Sequence, residues 1–266
     1  MSDITVQSPL PDQTLVLLGA SNLSLAWPRI IRIVLAGFAG RTHVFTAHGL
    51  GRSYLFPHSA CGFRRLPGIL HSGIWDALSA TTAARQQFAL VTDLGNDLLY
   101  GSSADEVASS AEESICRLRS WASDCRIIMT RPPVDSVRSL SWVRFVIART
   151  VLFPLTKLTL ADTQAETVKL DHLLTEVADR HGVSLIQPEP SWYGLDPIHV
   201  RRRYQHAAFA RILAEWMTAS DTADEERPLL SRLKKRPLAE LRWLCGREIQ
   251  THQPVVVADD ISVFAY

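Results

Sequence analysis

Over the first 219 residues, short apolar runs alternate with longer stretches of helical pattern. The runs 14–18, 43–47, 88–94, 126–130 and 183–186 are apolar and β-rich, and each fits a buried strand. Between or after them, 24–38, 104–122, 161–181 and 203–219 carry helical patterns. Strand and helix in alternation predict a parallel sheet with helices on both faces. In such sheets ligands bind outside the carboxyl ends of the strands.

Two stretches do not fit a minimal sheet of this kind. Residues 136–161 hold Trp142, Phe145, Val146, Ile147 and Phe153 together with Arg138, Arg144, Arg149 and Lys157, and contain no acid. Their apolar runs are broken by arginine well short of a bilayer-spanning length. The default reading is a core-packing helix with a solvated basic face. Sharper readings are a cap in which Trp142 and Phe145 touch substrate, or a surface that meets lipid. The second stretch opens on the acidic, polar run 221–226, which resembles a linker. Beyond it, 228–247 reads as a helix with Arg232, Lys234, Lys235 and Arg236, and 255–257 with 261–264 reads as a hairpin across Asp259-Asp260. The expected organisation is one domain over 1–219, with 136–161 as a cap insertion, then a linker and helix/hairpin extension over 220–266.

Composition narrows the classes. At 266 residues and 47% apolar the chain can bury one substantial core. Its 28 basic and 27 acidic residues balance, so no global field calls for nucleic acid. The expected partner is a small molecule, with peripheral lipid contact left open by 136–161 and oligomeric state unspecified. The first 13 residues contain Asp3 and Asp12 but no basic region or apolar run, so no secretory signal is expected and the cytoplasm is the expected location. Cys61, Cys116, Cys125 and Cys245 lack C-x-x-C spacing and read as reduced thiols, mostly buried. Nine scattered histidines form neither H-E-x-x-H nor a Cys/His cluster, so no metal and no cofactor are expected.

Four distant segments carry candidate chemistry: Gly19-Ala20-Ser21-Asn22-Leu23, Gly49-Leu50-Gly51, Gly95-Asn96-Asp97 and Asp196-Pro197-Ile198-His199. A serine hydroxyl becomes a useful nucleophile when a base takes its proton, a third group holds the base, and donors await the oxyanion. Ser21 follows the first strand in a small-residue turn. Asp196 and His199 are three apart, so the carboxylate could hold Nδ1 while Nε2 faces the serine. Asn96 offers a side-chain amide and Gly51 a backbone N–H to an oxyanion. Each segment alone is an ordinary turn, cap or polar loop. Their joint order, three of them at strand ends, points to acyl transfer.

On these residues the chain resembles the SGNH hydrolase superfamily, the GDSL esterase/lipase group. The resemblance covers about residues 14–216. It implies Ser21 as nucleophile, Gly51 or Gly49 as oxyanion glycine, Asn96 as oxyanion asparagine, and Asp196 with His199 as orienter and base. The Ser21 N–H joins the implied oxyanion hole, and Trp27-Pro28 matches a frequent family pair. It also implies a flavodoxin-like three-layer α/β/α sandwich with a central parallel sheet, and hydrolysis of an ester, thioester or acetyl group. Two positions depart from the family: the aspartate expected before the serine is Ala20, and the leucine expected after it is Asn22. Arg201, Arg202 and Arg203 follow the base closely near a helix start, where cations are disfavoured. They read as a solvated loop or, for Arg201, as a substrate-anion contact at the cleft mouth.

Other classes fit less well. A dinucleotide loop fails because Gly19 lacks the remaining G-x-x-G. A G-x-S-x-G elbow fails at Gly51-Arg52-Ser53-Tyr54-Leu55, which has no closing glycine. An acyltransferase using the same groups and a non-catalytic SGNH-like module remain the alternatives.

Overall fold

The computed structural model describes residues 11–82, 84–153, 156–217, 233, 235–258 and 260–266. Its strands are β1 (Gln13–Leu18), β2 (Thr42–Ala47), β3 (His58–Cys61), β4 (Arg64–Pro67), β5 (Gln86–Val91), β6 (Arg126–Thr130), β7 (Ser184–Ile186), β8 (Leu241–Leu244), β9 (Arg247–Gln250), β10 (Val256–Ala258) and β11 (Ile261–Ala265). Its α-helices are α1 (Ser21–Gly37), α2 (Ile74–Ser79), α3 (Asn96–Leu99), α4 (Ala104–Trp121), α5 (Val134–Arg138), α6 (Trp142–Leu152), α7 (Leu160–His181) and α8 (Gln205–Leu213).

The central sheet has the order β10-β11-β2-β1-β5-β6-β7, parallel except for the antiparallel edge strand β10. All six residues of β1 are buried, as they must be in a middle strand covered on both faces. The two-residue period divides them: Val16 and Leu18 join the core under α4 and α7, while Leu15 and Leu17 join the core under α1 and α8. The result is a three-layer α/β/α sandwich.

The long helices begin where local chemistry allows. Ser103 with Glu106 forms a capping box at the start of α4, and Thr159 with Asp162 forms one at α7. Helix α7 ends on Gly182 at φ +60°, a left-handed stop that costs glycine little. Helix α1 has no such cap, since the residue before it is Ala20. Its N-terminal donors are satisfied from another part of the chain, described below.

The far C-terminal region departs from the sequence reading. Residues 241–250, expected as the end of a helix and its sequel, form the β8–β9 hairpin turning at Cys245 and Gly246, both at positive φ. Strand β8 pairs with β4, so β3-β4-β8-β9 is a second, four-stranded antiparallel sheet. A partner strand far away in sequence overrode the local helical pattern. The expected hairpin at 255–264 is present as β10 and β11, but β11 also lies parallel to β2, with Val263 and Ile261 buried in the core. The Trp27 indole N–H donates to Leu233 O at 3.0 Å, which ties this region to α1. The acidic run 221–226, most of 228–234 and Asp259 lie outside the described residues.

Three of the four cysteines are exposed, which corrects the expectation of mostly buried thiols. Cys61 and Cys245 fall at the ends of hairpin strands and Cys116 on the outer side of α4. No helix among the described residues is long and apolar enough to cross a membrane.

Candidate active site

Four loops meet at the carboxyl end of the parallel strands. Gly19 follows β1 and has to be small, because a Cβ there would stand 2.7 Å from Thr92 Cγ2. Two residues on, Ser21 opens α1 and is almost wholly buried. Its Oγ lies 2.8 Å from His199 Nε2, and His199 Nδ1 lies 2.6 Å from Asp196 Oδ2. The other Asp196 oxygen accepts the backbone N–H groups of Ile198 and His199, both at 3.1 Å. The short D-P-I-H loop thus folds onto its own carboxylate, and Nε2 is left for the serine.

The electrostatics follow from this packing. Burial by itself would lower the His199 pKa, but the hydrogen bond and charge of Asp196, with a further contribution from Asp93, raise it overall. Burial pushes the Asp196 carboxyl up, while the bonds and charge of His199 and the two backbone donors bring it below its ordinary value. The carboxylate is ionised where the imidazole titrates.

Asp93 was not singled out in the sequence, and it organises the serine turn. It sits just beyond β5 at φ +64°, a left-handed conformation that aspartate tolerates better than most residues. One oxygen, Oδ2, accepts the N–H groups of Ala20 (2.8 Å), Asn22 (3.0 Å) and Leu23 (3.3 Å). A carboxylate at the start of α1 also suits the positive end of the helix. The Ser21 N–H, in the middle of this set, donates to no group among the described residues. Asp93 supplies, from the next strand, the acid that the turn lacks at Ala20.

Asn22, the other departure, joins the turn to the histidine loop. Its Nδ2 donates to Asp93 Oδ1 at 2.8 Å and to Ile198 O at 2.9 Å, and its Oδ1 accepts Val200 N–H at 2.8 Å. His199 is held between the two backbone groups that Asn22 grips. A leucine could make none of these bonds.

Asn96 begins α3 and is buried, and its side-chain amide has no hydrogen-bond partner among the described residues. The adjacent Asp97 is fully buried and anchors the loop after β2: it accepts from Ser53 Oγ and, at 2.9 Å, from Tyr54 N–H. Burial pushes its carboxyl up to about 6, against those two hydrogen bonds. The Tyr54 hydroxyl lies 3.0 Å from Leu18 O and 2.8 Å from Thr92 O, binding the same loop to the ends of β1 and β5.

This loop carries both glycine candidates. Gly49 is buried, its carbonyl accepts Arg52 N–H at 3.2 Å, and a Cβ there would strike Leu66. Packing leaves no room for a side chain there, and the Gly49 N–H has no partner among the described residues. Gly51 is at φ +66°, its carbonyl accepts the Tyr100 hydroxyl at 2.9 Å, and its N–H has no partner among the described residues.

A second serine–histidine contact, Ser24 Oγ to His48 Nδ1 at 2.7 Å, lies one turn further along α1. It has a different character. His48 is fully desolvated, its pKa falls to about 3, and its Nε2 meets no partner and hence no carboxylate.

A cavity of about 80 Å³ is walled by Asn22 and Ile198, the chain neighbours of Ser21 and His199, with Asp93, Asn96, Pro133 and Tyr193. None of the three residues expected to contact substrate faces it. Trp142 is 67% exposed on the outer side of α6. Phe145 is buried on the inner side, in a smaller apolar slit that it shares with Pro197 and Ile198. Arg201 donates to Ser191 O at 2.5 Å and lies 4.8 Å over the Tyr204 ring, so it braces its own loop and does not open into the cleft. Its compensation is local, which sequence could not reveal because the acceptor is a backbone carbonyl.

Neither a family model nor a curated protein matches the chain. Solved structures do. The native aryl esterase of M. smegmatis superposes with a TM-score of 0.50 at 13% identity, over 76% of this chain and 97% of its own. Its inhibitor-bound form gives the same values. Est24, a carbohydrate acetylesterase from Sinorhizobium meliloti, is 14% identical over 76% of this chain and 99% of its own, with a TM-score of 0.49. With the strand order, the layers and the site loops at the strand ends in view, the chain shares the three-layer α/β/α fold of the M. smegmatis aryl esterase.

Proposed function

We propose that this protein is a serine esterase of the SGNH type. The observation that carries the reading is the chain of hydrogen bonds from Asp196 through His199 to Ser21, with three unengaged donors on the loops that follow β1, β2 and β5: the Ser21 and Gly51 N–H groups and the Asn96 amide. His199 Nε2 takes the Ser21 proton as Oγ attacks the ester carbonyl, and the developing oxyanion is met by the three donors. Collapse of that intermediate breaks the bond to the alcohol, which leaves with the proton from His199. Water then repeats the cycle on the acyl-serine, and the acid leaves. Asp196 keeps the imidazole oriented and stays ionised throughout. Aryl esters, named for the M. smegmatis structure of the same fold, are the first substrates to test.

The deciding experiment is covalent labelling by a fluorophosphonate, read by intact mass. The parent chain should take one label and hydrolyse short activated esters, and the Ser21→Ala variant should do neither. Turnover by Ser21→Ala equal to the parent's, with contaminating esterase excluded, would remove Ser21 from the mechanism.

A further inference from the structure

Helix α6 is apolar on two sides. Phe145 points inward and is 6% exposed, while Trp142, Val143 and Ile147 on the outer side are 67%, 59% and 60% exposed. A helix that is apolar all round is ordinarily buried in a core or in lipid. At 11 residues α6 is about 16 Å long, roughly half of what spans a bilayer, so it could lie only along a surface. Arg144 donates to Gly194 O, which sets the 84% exposed Leu195 beside the helix. These four apolar side chains are exposed on one helix and on the loop bonded to it.

Within residues 136–161 the charge has one sign. Residues 136–161 contain Arg138, Arg144, Arg149 and Lys157 and no acid. Arg138 and Lys157 are exposed at either side of the helix, and Arg149 borders the slit beneath it. The flanking acids are Asp135, which is exposed, and Asp162, which is occupied by its Thr159 capping box. Beside Leu195, Asp196 is taken by His199. An apolar face with a tryptophan at one end and cations around it matches an anionic bilayer surface, where apolar burial and attraction to lipid phosphates act together.

The inner side of the same helix faces the candidate site. The apolar slit under α6, walled by Leu140, Phe145, Phe153, Pro197 and Ile198, ends on the loop that carries His199. We infer that α6 and Leu195 dock this protein on anionic membranes and that esters drawn from that surface are its substrates. The substrate clause rests on the esterase reading; the docking clause does not.

The test is co-sedimentation of the full chain with vesicles of phosphatidylcholine alone and of phosphatidylcholine mixed with phosphatidylglycerol. Binding is expected to the mixed vesicles and should weaken as salt is raised. Val143→Ser with Ile147→Ser should reduce it at least about tenfold, judged from the apolar area withdrawn. Both side chains are exposed, so the melting temperature and turnover of a soluble short ester should stay near the parent's. Arg138→Gln and Lys157→Gln should each weaken binding about fivefold. Failure of the parent to bind mixed vesicles, or equal binding by the double serine variant, overturns the proposal. So does a parent that self-associates in sedimentation velocity without vesicles and becomes monomeric with the serine substitutions, since a second copy would then be the occupant. Ser21→Ala should bind vesicles like the parent. Vesicle binding without ester cleavage would sink the esterase reading alone, and cleavage of soluble esters without vesicle binding would sink the docking alone.

Discussion

At Asp93, one carboxylate controls two things that the proposed esterase chemistry needs together: the backbone of the Ser21 turn and the charge felt by His199. Asp93→Asn keeps a residue that tolerates positive φ, but its amide would face the Asn22 amide, donor against donor. The expected outcome is a fall in kcat of about 10²-fold, the scale of an ångström-sized misplacement. The pH profile supplies a readout that simple loosening would not move. Since Asp93 helps raise the His199 pKa, its neutralisation should shift the rising limb of kcat/KM to lower pH. In the parent, that limb should be centred above the ordinary histidine value of about 6.5, because His199 has to be neutral to accept the proton. Stability runs the other way. A histidine whose folded pKa is raised contributes stability that is full below about 6.5 and lost as pH rises through the folded pKa. Over that window activity should rise while the urea midpoint of the parent falls relative to that of His199→Gln, a difference that removes the opposite contribution of His48, whose pKa is lowered by burial. A limb centred below the ordinary value would contradict the arrangement. Asn96→Ala should cost about 10²–10³ in kcat with little change in melting temperature, as loss of an oxyanion donor does elsewhere.

Helix α6 separates two aromatic residues that look alike in the sequence. Phe145 is packed within the slit and Trp142 is on the outside, so their truncations should differ in kind. Phe145→Ala should destabilise by about 3–5 kcal/mol, the usual cost of emptying a buried aromatic site, and Trp142→Ala by no more than about 0.5 kcal/mol. Thermal or urea unfolding of the two variants checks this, and equal losses would mean that the outer face is covered. The acid-free pattern of 136–161 exposed something unusual, but the inward and outward faces depended on how the helix rotates against α7 and the 194–198 loop. Strands β8 and β9 show the same limit differently. The stretch 241–250 has no strong local strand pattern, and its conformation depends on β4, some 180 residues earlier in the chain.

On the scale of the whole molecule, the chain after residue 235 is built into the fold twice, through β11 beside β2 and through β8 beside β4. We propose that the catalytic unit includes it, in place of a division near residue 219. Val263 and Ile261 fill the core over β2, Arg52 donates to Pro67 O at 2.8 Å and to Tyr266 O, and Tyr266 N–H donates to Thr46 O at 2.9 Å. Removing residues 253–266 would uncover the hydrogen-bonding edge of β2 and leave a buried guanidinium short of an acceptor. The truncated chain should be insoluble or lack a cooperative unfolding transition, as judged by circular dichroism and size exclusion. A soluble truncation that melts within a few degrees of the parent would restore the picture of a separate extension.

Hydrophobic periodicity marked the strands β1, β2, β5, β6 and β7, the helices α1, α4, α7 and α8 and their layered order, because a buried face leaves a local imprint that a window of residues displays. Residue chemistry in order along the chain also marked Ser21, Asn96, Asp196 and His199 as one candidate set, since acyl transfer demands those groups whatever their spacing. Only the tertiary structure decided the rest. Asp93 and Asn22 look like ordinary turn residues until the ends of β1 and β5 and the histidine loop come within 3 Å of one another. Gly49 and Gly51 are equivalent in the sequence, and the structure shows packing against Leu66 at the one and a positive φ at the other. The C-terminal strands were settled by partners distant in sequence, and Arg201 and Trp142 by how their own loop and helix are turned. A side chain's surroundings are fixed by where other segments run, and no local pattern carries that information.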